Sequence, residues 1–293
     1  MKKKKYINYF SEILLIRSFE NLLLRLFKQG HLTGTTHTCI GQEATPVIAL
    51  SKINSNDFVI SNHRSHGHFL AYSKDASGLL KELLGKEGGV CKGVAGSQHI
   101  HYKNFMSNGV LGNLTPVAAG IALSNKLKKQ KGITYIFLGD GTFGQGVLYE
   151  TLNIASLKNL RCVFIVENNR IAQTTDIKDN LAGTIKNRLN SFEIKTFETN
   201  SNNVNHLDKT FEKVKNYINK TSKPCGIIVE SYRFASHSKG DDTRSKKYLK
   251  EIRNSKDPLK YLKKYVNNVE EKKIIKETEK LMNKLCAENN ITI

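Results

Sequence analysis

The sequence predicts an α/β fold: a doubly wound, mostly parallel sheet with helical N- and C-terminal segments. Ile133 to Leu138 and Cys162 to Val166 are near-continuous apolar runs, the pattern of strands covered on both faces. Between them Gly139-Asp140-Gly141 makes a turn and Gly146 to Leu157 has helical amphipathicity. Strand, helix and strand therefore form one crossover, and its strands run parallel. Cys225 to Glu230 is a third buried strand, and a helix from His206 to Asn219 leads into it.

Taken in order, the chain opens with MKKKKYINYFSEILLIRSFE, in which Ile7, Phe10, Leu14, Leu22 and Leu26 recur at helical spacing. The spacing predicts a surface helix, broken around Arg17 and ending before Gly30. The apolar core from Ile13 to Ile16 is too short for a secretion signal, so the protein is expected in the cytoplasm. From Ser61 to Gly112 the chain is rich in Gly, His, Ser and Asn, a composition expected of loops that carry function. After the strand at 225–230 comes a polar loop from Arg233 to Arg244. Pro258 then opens a helical segment to Val266, and Glu270 to Leu285 continues as a charged helix. No repeat or low-complexity linker forces a second domain. The expected organisation is an N-terminal helical segment at 1–30, an α/β domain at 31–245, and a C-terminal helical segment at 246–293 packed on it.

Composition excludes several classes. Charged residues make up 25% of the 293 and hydrophobic residues 39%, which is ordinary globular usage and rules out wholesale disorder or a collagen-like repeat. No apolar stretch approaches the roughly eighteen residues of a membrane span. Five scattered cysteines without a Cys-x-x-Cys pair give neither a disulfide framework nor a zinc site, and read as reduced, mostly buried thiols. The net charge is 46 − 26 = +20, which would suit nucleic acid. Only nine of the 46 basic residues are Arg, however, and a Lys surplus along helix faces reads as solvated surface. Nucleic-acid binding is therefore not expected, and a nonenzymatic basic binding protein is the alternative from outside the enzymes.

Asp140 and Asn169 each follow an apolar strand directly and lie 169 − 140 = 29 residues apart, the length of one crossover. Ligands of open parallel sheets sit beyond the carboxyl ends of the strands. Two oxygen ligands from adjacent strand ends suit a hard cation such as magnesium, which takes a carboxylate together with phosphate oxygens and water. Either motif alone is more often a tight turn or a polar strand cap. Together, at this separation, they are much more specific.

Five stretches in order then resemble one family, the alpha subunit of the thiamine diphosphate-dependent first component of 2-oxo acid dehydrogenase complexes. They are THTCIGQEA at 36–44, HRSHGH at 63–68, GGVCKGVAGSQHIH at 88–101 with NGVLG at 108–112, GDGTFGQGVLYETLNIA at 139–155 through ENNRIA at 167–172, and YRFASHSKGDD at 232–242. The resemblance implies a thiamine diphosphate-binding fold. It implies that Asp140, Asn169 and the carbonyl of Ile171 bind Mg2+, and that Gly141 and Thr142 present backbone to the diphosphate. Arg64 and His237 would hold the phosphates, and Gly109 and Leu111 would press the bent cofactor. His37 would face the reaction centre beside His237, with His66 also among the catalytic histidines or supporting them. His63, also expected among the cofactor-binding residues, stands where the pyruvate enzymes usually have Tyr. Ser238 matches a serine phosphorylated in some mitochondrial relatives, although nothing in the sequence points to a kinase.

The cofactor is the electron sink when carbon dioxide leaves a 2-oxo acid. Proton transfers beside it suit histidines titrating near neutral pH. The resemblance implies half an active site, completed by a beta subunit in an α2β2 assembly that passes an acyl group to the lipoyl domain of an acyltransferase. The expected substrate is a small 2-oxo acid. An acetoin dehydrogenase alpha subunit and the N-terminal half of a split transketolase are the enzyme alternatives, and the GQEA and HS-x-GDD elements argue against the second.

Overall fold

The computed structural model describes residues 2–32, 34–238, 240 and 242–292. The chain begins with α1 (Lys2–Lys28) and α2 (Ala44–Leu50), then β1 (Phe58–Ser61), α3 (Ser65–Ser73), α4 (Ala76–Leu83), β2 (His101–Tyr102) and β3 (Phe105–Ser107). Next come α5 (Thr115–Leu127), β4 (Thr134–Gly139), a 3-10 turn at Asp140–Gly144, α6 (Gly146–Leu157), β5 (Cys162–Asn168), α7 (Ile177–Asn180) and α8 (Ile185–Asn190). It ends with β6 (Lys195–Asn200), α9 (Val204–Thr221), β7 (Cys225–Glu230), α10 (Lys246–Lys256), α11 (Pro258–Leu262) and α12 (Asn268–Glu288).

The seven strands form one sheet in the order β2-β3-β1-β4-β5-β7-β6. All neighbouring pairs are parallel except β2 with β3. Side chains alternate along the strands, so Tyr135 and Phe137 enter the core under α1, α3, α4 and α9, while Ile136 and Leu138 enter the core under α5, α6 and α8. Layers on both faces explain why β4 and β5 read as unbroken apolar runs. From β1 the chain leaves through α3 and α4 to the strands on one side. It then returns through α5 to β4 on the other side, and continues that way through α6 to β5. The direction thus reverses between the adjacent strands β1 and β4, and a ligand crevice belongs at their carboxyl ends.

The central crossover and the strand and helix before the polar loop lie where the apolar runs put them. The N-terminal helix does not behave as expected. It runs unbroken through Arg17, and Tyr6, Tyr9, Phe10, Ile13, Ile16, Phe19, Leu22, Leu23 and Leu26 are all buried in the main core. Burying such a side chain is worth roughly 1.5–3 kcal/mol, so α1 is a core helix rather than a surface one. Its polar residues are not interruptions. Arg17 pairs with Glu43 through two nitrogens and with Asp257 at 3.1 Å, and Glu20 is fully buried against His66. The Ser61 to Gly112 stretch, expected as loops, contains α3 and α4, so HRSHGH lies at a helix start. Leu262, Ile274, Met282 and Leu285 of the C-terminal helices share the core of α1. Asn267 caps α12 in a reciprocal box with Glu270.

All five cysteines are free thiols, four of them buried. Among the described residues no helix is long and apolar enough to cross a membrane.

Candidate active site

One cleft opens at the reversal point. Asn62, His63 and Arg64 from the end of β1, Gly139 to Gly141 from the end of β4, and Glu167, Asn169 and Ile171 from the end of β5 line it; Gln42, Leu111 and His237 reach it from loops. The β4–β5 register sets Gly139 opposite Glu167, which brings the two turns side by side. The turn after β5 folds on itself: Asn169 Oδ1 accepts the N–H of Ile171 at 3.1 Å, Arg170 has φ of 64°, and Ile171 bridges to Asp176.

The loops carrying His37 and His237 are joined by backbone. Phe234 N–H donates to the carbonyl of Ile40 at 2.9 Å. Gly41, at φ of 99°, lets the chain pass so close that a Cβ there would come within 2.1 Å of the Tyr232 carbonyl. No other residue fits that conformation and that space. As a result three imidazoles pack together: His37 lies 4.8 Å from both His63 and His237, and those two lie 5.6 Å apart, ring centre to centre.

The cleft combines a buried guanidinium with hard oxygen atoms. Arg64 is buried and spends its guanidinium on neutral acceptors: the Thr38 carbonyl at 2.7 Å, the His237 carbonyl at 3.3 Å and His237 Nδ1 at 3.0 Å. Burial, and then the neighbouring Arg233, push its pKa down to about 9. Burial also pushes the Asp140 carboxyl up to about 6, against its own N–H and that of Gly141, Arg233 and Arg64, which favour the charged form. His63 is held well below the usual imidazole range, first by burial and then by Arg64, His37 and His237.

Among the described residues no three His, Cys, Asp or Glu side chains are grouped to hold a metal ion. The expected donors are of another kind: one carboxylate, one amide oxygen and one carbonyl, all hard oxygens lining one cleft. Two further oxygens on the cleft's lining residues, Glu167 Oε1 and Gln42 Oε1, are buried without a hydrogen-bond partner. Hard donors beside buried arginine chemically fit a divalent cation with a diphosphate.

A sequence profile described as "Dehydrogenase E1 component" matches residues 11–290. The chain belongs to that family. It is 30% identical to the pyruvate dehydrogenase E1 component subunit alpha of Rickettsia bellii, covering 98% of this chain and 90% of that one. It is 32% identical to the same-named subunit of Rhizobium meliloti, over 89% of this chain and 77% of that one. A testis-specific mitochondrial form of the subunit from Rattus norvegicus is 31% identical over 95% and 73%. Membership makes this E1 chain the alpha-type subunit of a thiamine diphosphate-dependent oxidoreductase of the 2-oxo acid dehydrogenase kind, with a beta subunit as partner.

Not every expected site residue of this E1 chain lies in the cleft. His66, expected among the catalytic histidines, is fully buried with both nitrogens engaged, Nδ1 with Glu20 at 3.2 Å and Nε2 with Ser97 Oγ at 2.8 Å. It sits inside α3 rather than in a loop, and burial beside Glu20 explains it. His68 is likewise buried, between Ser61, Glu167 and the face of Phe137. Thr142 is buried and lines the adjoining pocket with Val110 and Leu111. Gly109 faces the Gln98 side chain, whose Oε1 lies within 2.0 Å of where a Cβ would stand. Lys239 and Asp241 of YRFASHSKGDD lie outside the described residues.

The residues not anticipated in this E1 chain are Arg233, which donates to His237 Nδ1 at 3.0 Å, and Gln98, which donates to His37 Nδ1 at 3.0 Å. Both lie within the motifs quoted for the family, and an arginine or amide there was the only available signal. Arg233 meets its partner four residues on in the same loop, whereas Gln98 reaches His37 from a distant segment.

Proposed function

We propose that this chain carries half of the active site of a pyruvate dehydrogenase-type first component. In this reading it decarboxylates pyruvate oxidatively and passes the acetyl group to a lipoyl domain of an acyltransferase, in the cytoplasm, as an α2β2 assembly with its beta subunit. The observation that carries the reading is the convergence of Asp140, Asn169, Arg64 and His237 on one cleft at the reversal of the sheet.

In this reading the α/β unit at 31–245 holds the cofactor, and the terminal segments 1–30 and 246–293 brace it. Asp140, the side-chain oxygen of Asn169 and the carbonyl of Ile171 hold Mg2+. Arg64 and His237 bind the phosphates, and Gly141 and Thr142 offer backbone N–H groups at the turn. Leu111 and Gly109 lie on the segment that shapes the cofactor. Thiamine diphosphate, when bound there, would supply the carbanion and electron-sink chemistry that decarboxylation of a 2-oxo acid needs.

This chain's own residues do the rest. His37 and His237 donate hydrogen bonds to, and exchange protons with, the oxygen of the bound carbonyl. His63, held neutral, lines the cleft beside Arg64 and meets the cofactor there as an uncharged ring. Leu111, Ile171 and Ala172 limit water at the cleft.

The test is co-expression with the beta subunit and calorimetric titration with thiamine diphosphate, with and without Mg2+. Magnesium-dependent binding that Asp140→Ala abolishes, with turnover of pyruvate, supports the reading. Failure of a well-folded complex to bind the cofactor overturns it.

A further inference from the structure

We infer that Gln98 is a positioning residue that fixes His37 in one tautomer, as a hydrogen-bond donor through Nε2. The inference rests on the functional reading above for what His37 does, but the tautomer itself follows from three contacts.

Gln98 Nε2 lies 3.0 Å from His37 Nδ1 and 3.5 Å from the carbonyl of Thr35. An amide nitrogen only donates, and a backbone carbonyl only accepts. The Thr35 carbonyl therefore sets which end of the amide faces His37. The opposite end is set independently: Gln98 Oε1 occupies the space beside Gly109 where any side chain would put its Cβ, at 2.0 Å. Turning the amide over would aim its oxygen at the Thr35 carbonyl and crowd its NH2 group against Gly109. The amide is thus held from both sides, and Nδ1 of His37 must accept.

A neutral imidazole that accepts at Nδ1 carries its proton on Nε2. The surroundings support the neutral form. His237 lies 4.8 Å from His37 and accepts from Arg64 at 3.0 Å, so a positive charge on His37 would stand one imidazole away from a guanidinium. In the functional reading above, a ring whose proton is fixed on Nε2 is a preorganised donor, able to stabilise charge developing on a substrate oxygen without first gaining a proton. Gln98 Oε1 also packs close against Gly109, so one side chain touches both the segment that carries Leu111 and the segment at 35–37.

The test uses the complex with its beta subunit, labelled with 15N-histidine, and assigns His37 by the signal lost in His37→Gln. The expected wild-type spectrum has an unprotonated Nδ1 and a protonated Nε2 at His37. Gln98→Glu, equal in shape but an acceptor, moves the proton to Nδ1. Gln98→Met, equal in length and without a donor, yields a mixture of tautomers. In both variants thiamine diphosphate affinity and thermal stability are unchanged; kcat falls by roughly a hundredfold with little change in KM in Gln98→Glu, the cost of losing one preorganised donor, and only severalfold in Gln98→Met, in proportion to the tautomer lost. A His37 spectrum unchanged in both variants overturns the inference. Because the spectrum needs neither cofactor nor turnover, a complex that shows the switch but binds no cofactor would sink the functional reading and leave the positioning intact.

Discussion

Arg64 Nη2 lies 3.0 Å from Nδ1 of His237, so the imidazole accepts from a guanidinium that is buried and has been pushed down to about 9. Arg64 also donates to the Thr38 carbonyl, one residue beyond His37. A single arginine therefore braces both histidine loops and brings a positive charge to the cleft.

The first prediction follows from that double role. Arg64→Lys keeps a charge but cannot span the Thr38 carbonyl and His237 together, because an ammonium lacks the planar fork. Hydrogen bonds to charged groups are worth about 1.5–3 kcal/mol, so affinity for thiamine diphosphate should fall roughly ten- to a hundredfold. Calorimetric titration of the complex measures this, and an unchanged affinity would remove Arg64 from the phosphate site.

A second prediction concerns pH. Burial raises the folded-state pKa of Asp140 from 3.8 to about 6, so the folded protein holds this proton more tightly than the unfolded chain does. The associated stability is complete below the unfolded pKa and is lost as pH rises through the folded one, a change of ~3 kcal/mol across that window. In a metal-free complex Asp140→Asn should be the more stable protein above pH 6 by up to that amount and equal to wild type near pH 4. Added Mg2+ should stabilise wild type alone. Denaturant titrations at the two pH values decide the matter; a gap independent of pH would count against a buried, ionised Asp140.

What the sequence made legible is uneven, and the reasons are physical. β4, α6, β5 and β7 were readable because strands covered on both faces need no polar alternation, and each run is bounded by turn residues. Asp140 and Asn169 were readable because a strand end fixes their place without knowledge of the rest of the chain. The course of α1 was not. Its Arg17 and Glu20 look like breaks in an apolar face, yet they are satisfied by Glu43, Asp257 and His66, which only tertiary structure brings near. Gln98 was missed for the same reason, since it acts on His37 through a contact between distant loops, and Arg233 because the turn that folds it back onto His237 is not written in residue type alone. His66 was misplaced because a histidine in a Gly- and Ser-rich sequence reads as a loop residue, whereas α3 turns it inward.

That burial leads to a third prediction. Glu20 and His66 are both fully buried, and Glu20 also accepts from the N–H of Cys39 at 2.9 Å. Removing one partner leaves a buried polar group without its hydrogen bond, at a cost of roughly 1–3 kcal/mol. His66→Ala should destabilise the complex by about that much without changing the pH dependence of kcat. The double variant with Glu20→Gln should cost less than the sum of the two single changes. A pH profile altered by His66→Ala would instead place His66 among the groups that exchange protons with substrate.

The last prediction tests α1 as a core element. Leu22 is completely buried, whereas Lys4 on the same helix is exposed. Leu22→Ala removes apolar contacts and leaves a cavity that the surrounding helices fill only in part, which costs roughly 2–5 kcal/mol. Lys4→Ala should stay within about 0.5 kcal/mol of wild type. Urea denaturation of the complex measures both. Equal, small effects would mean that α1 lies on the surface, as its polar residues first suggest. A large effect at Leu22 alone would confirm a core helix, and that helix holds the loop at 36–44, because Glu20 accepts from the N–H of Cys39 at 2.9 Å. Loosening α1 should then lower cofactor affinity as well as stability, through the loop that carries His37.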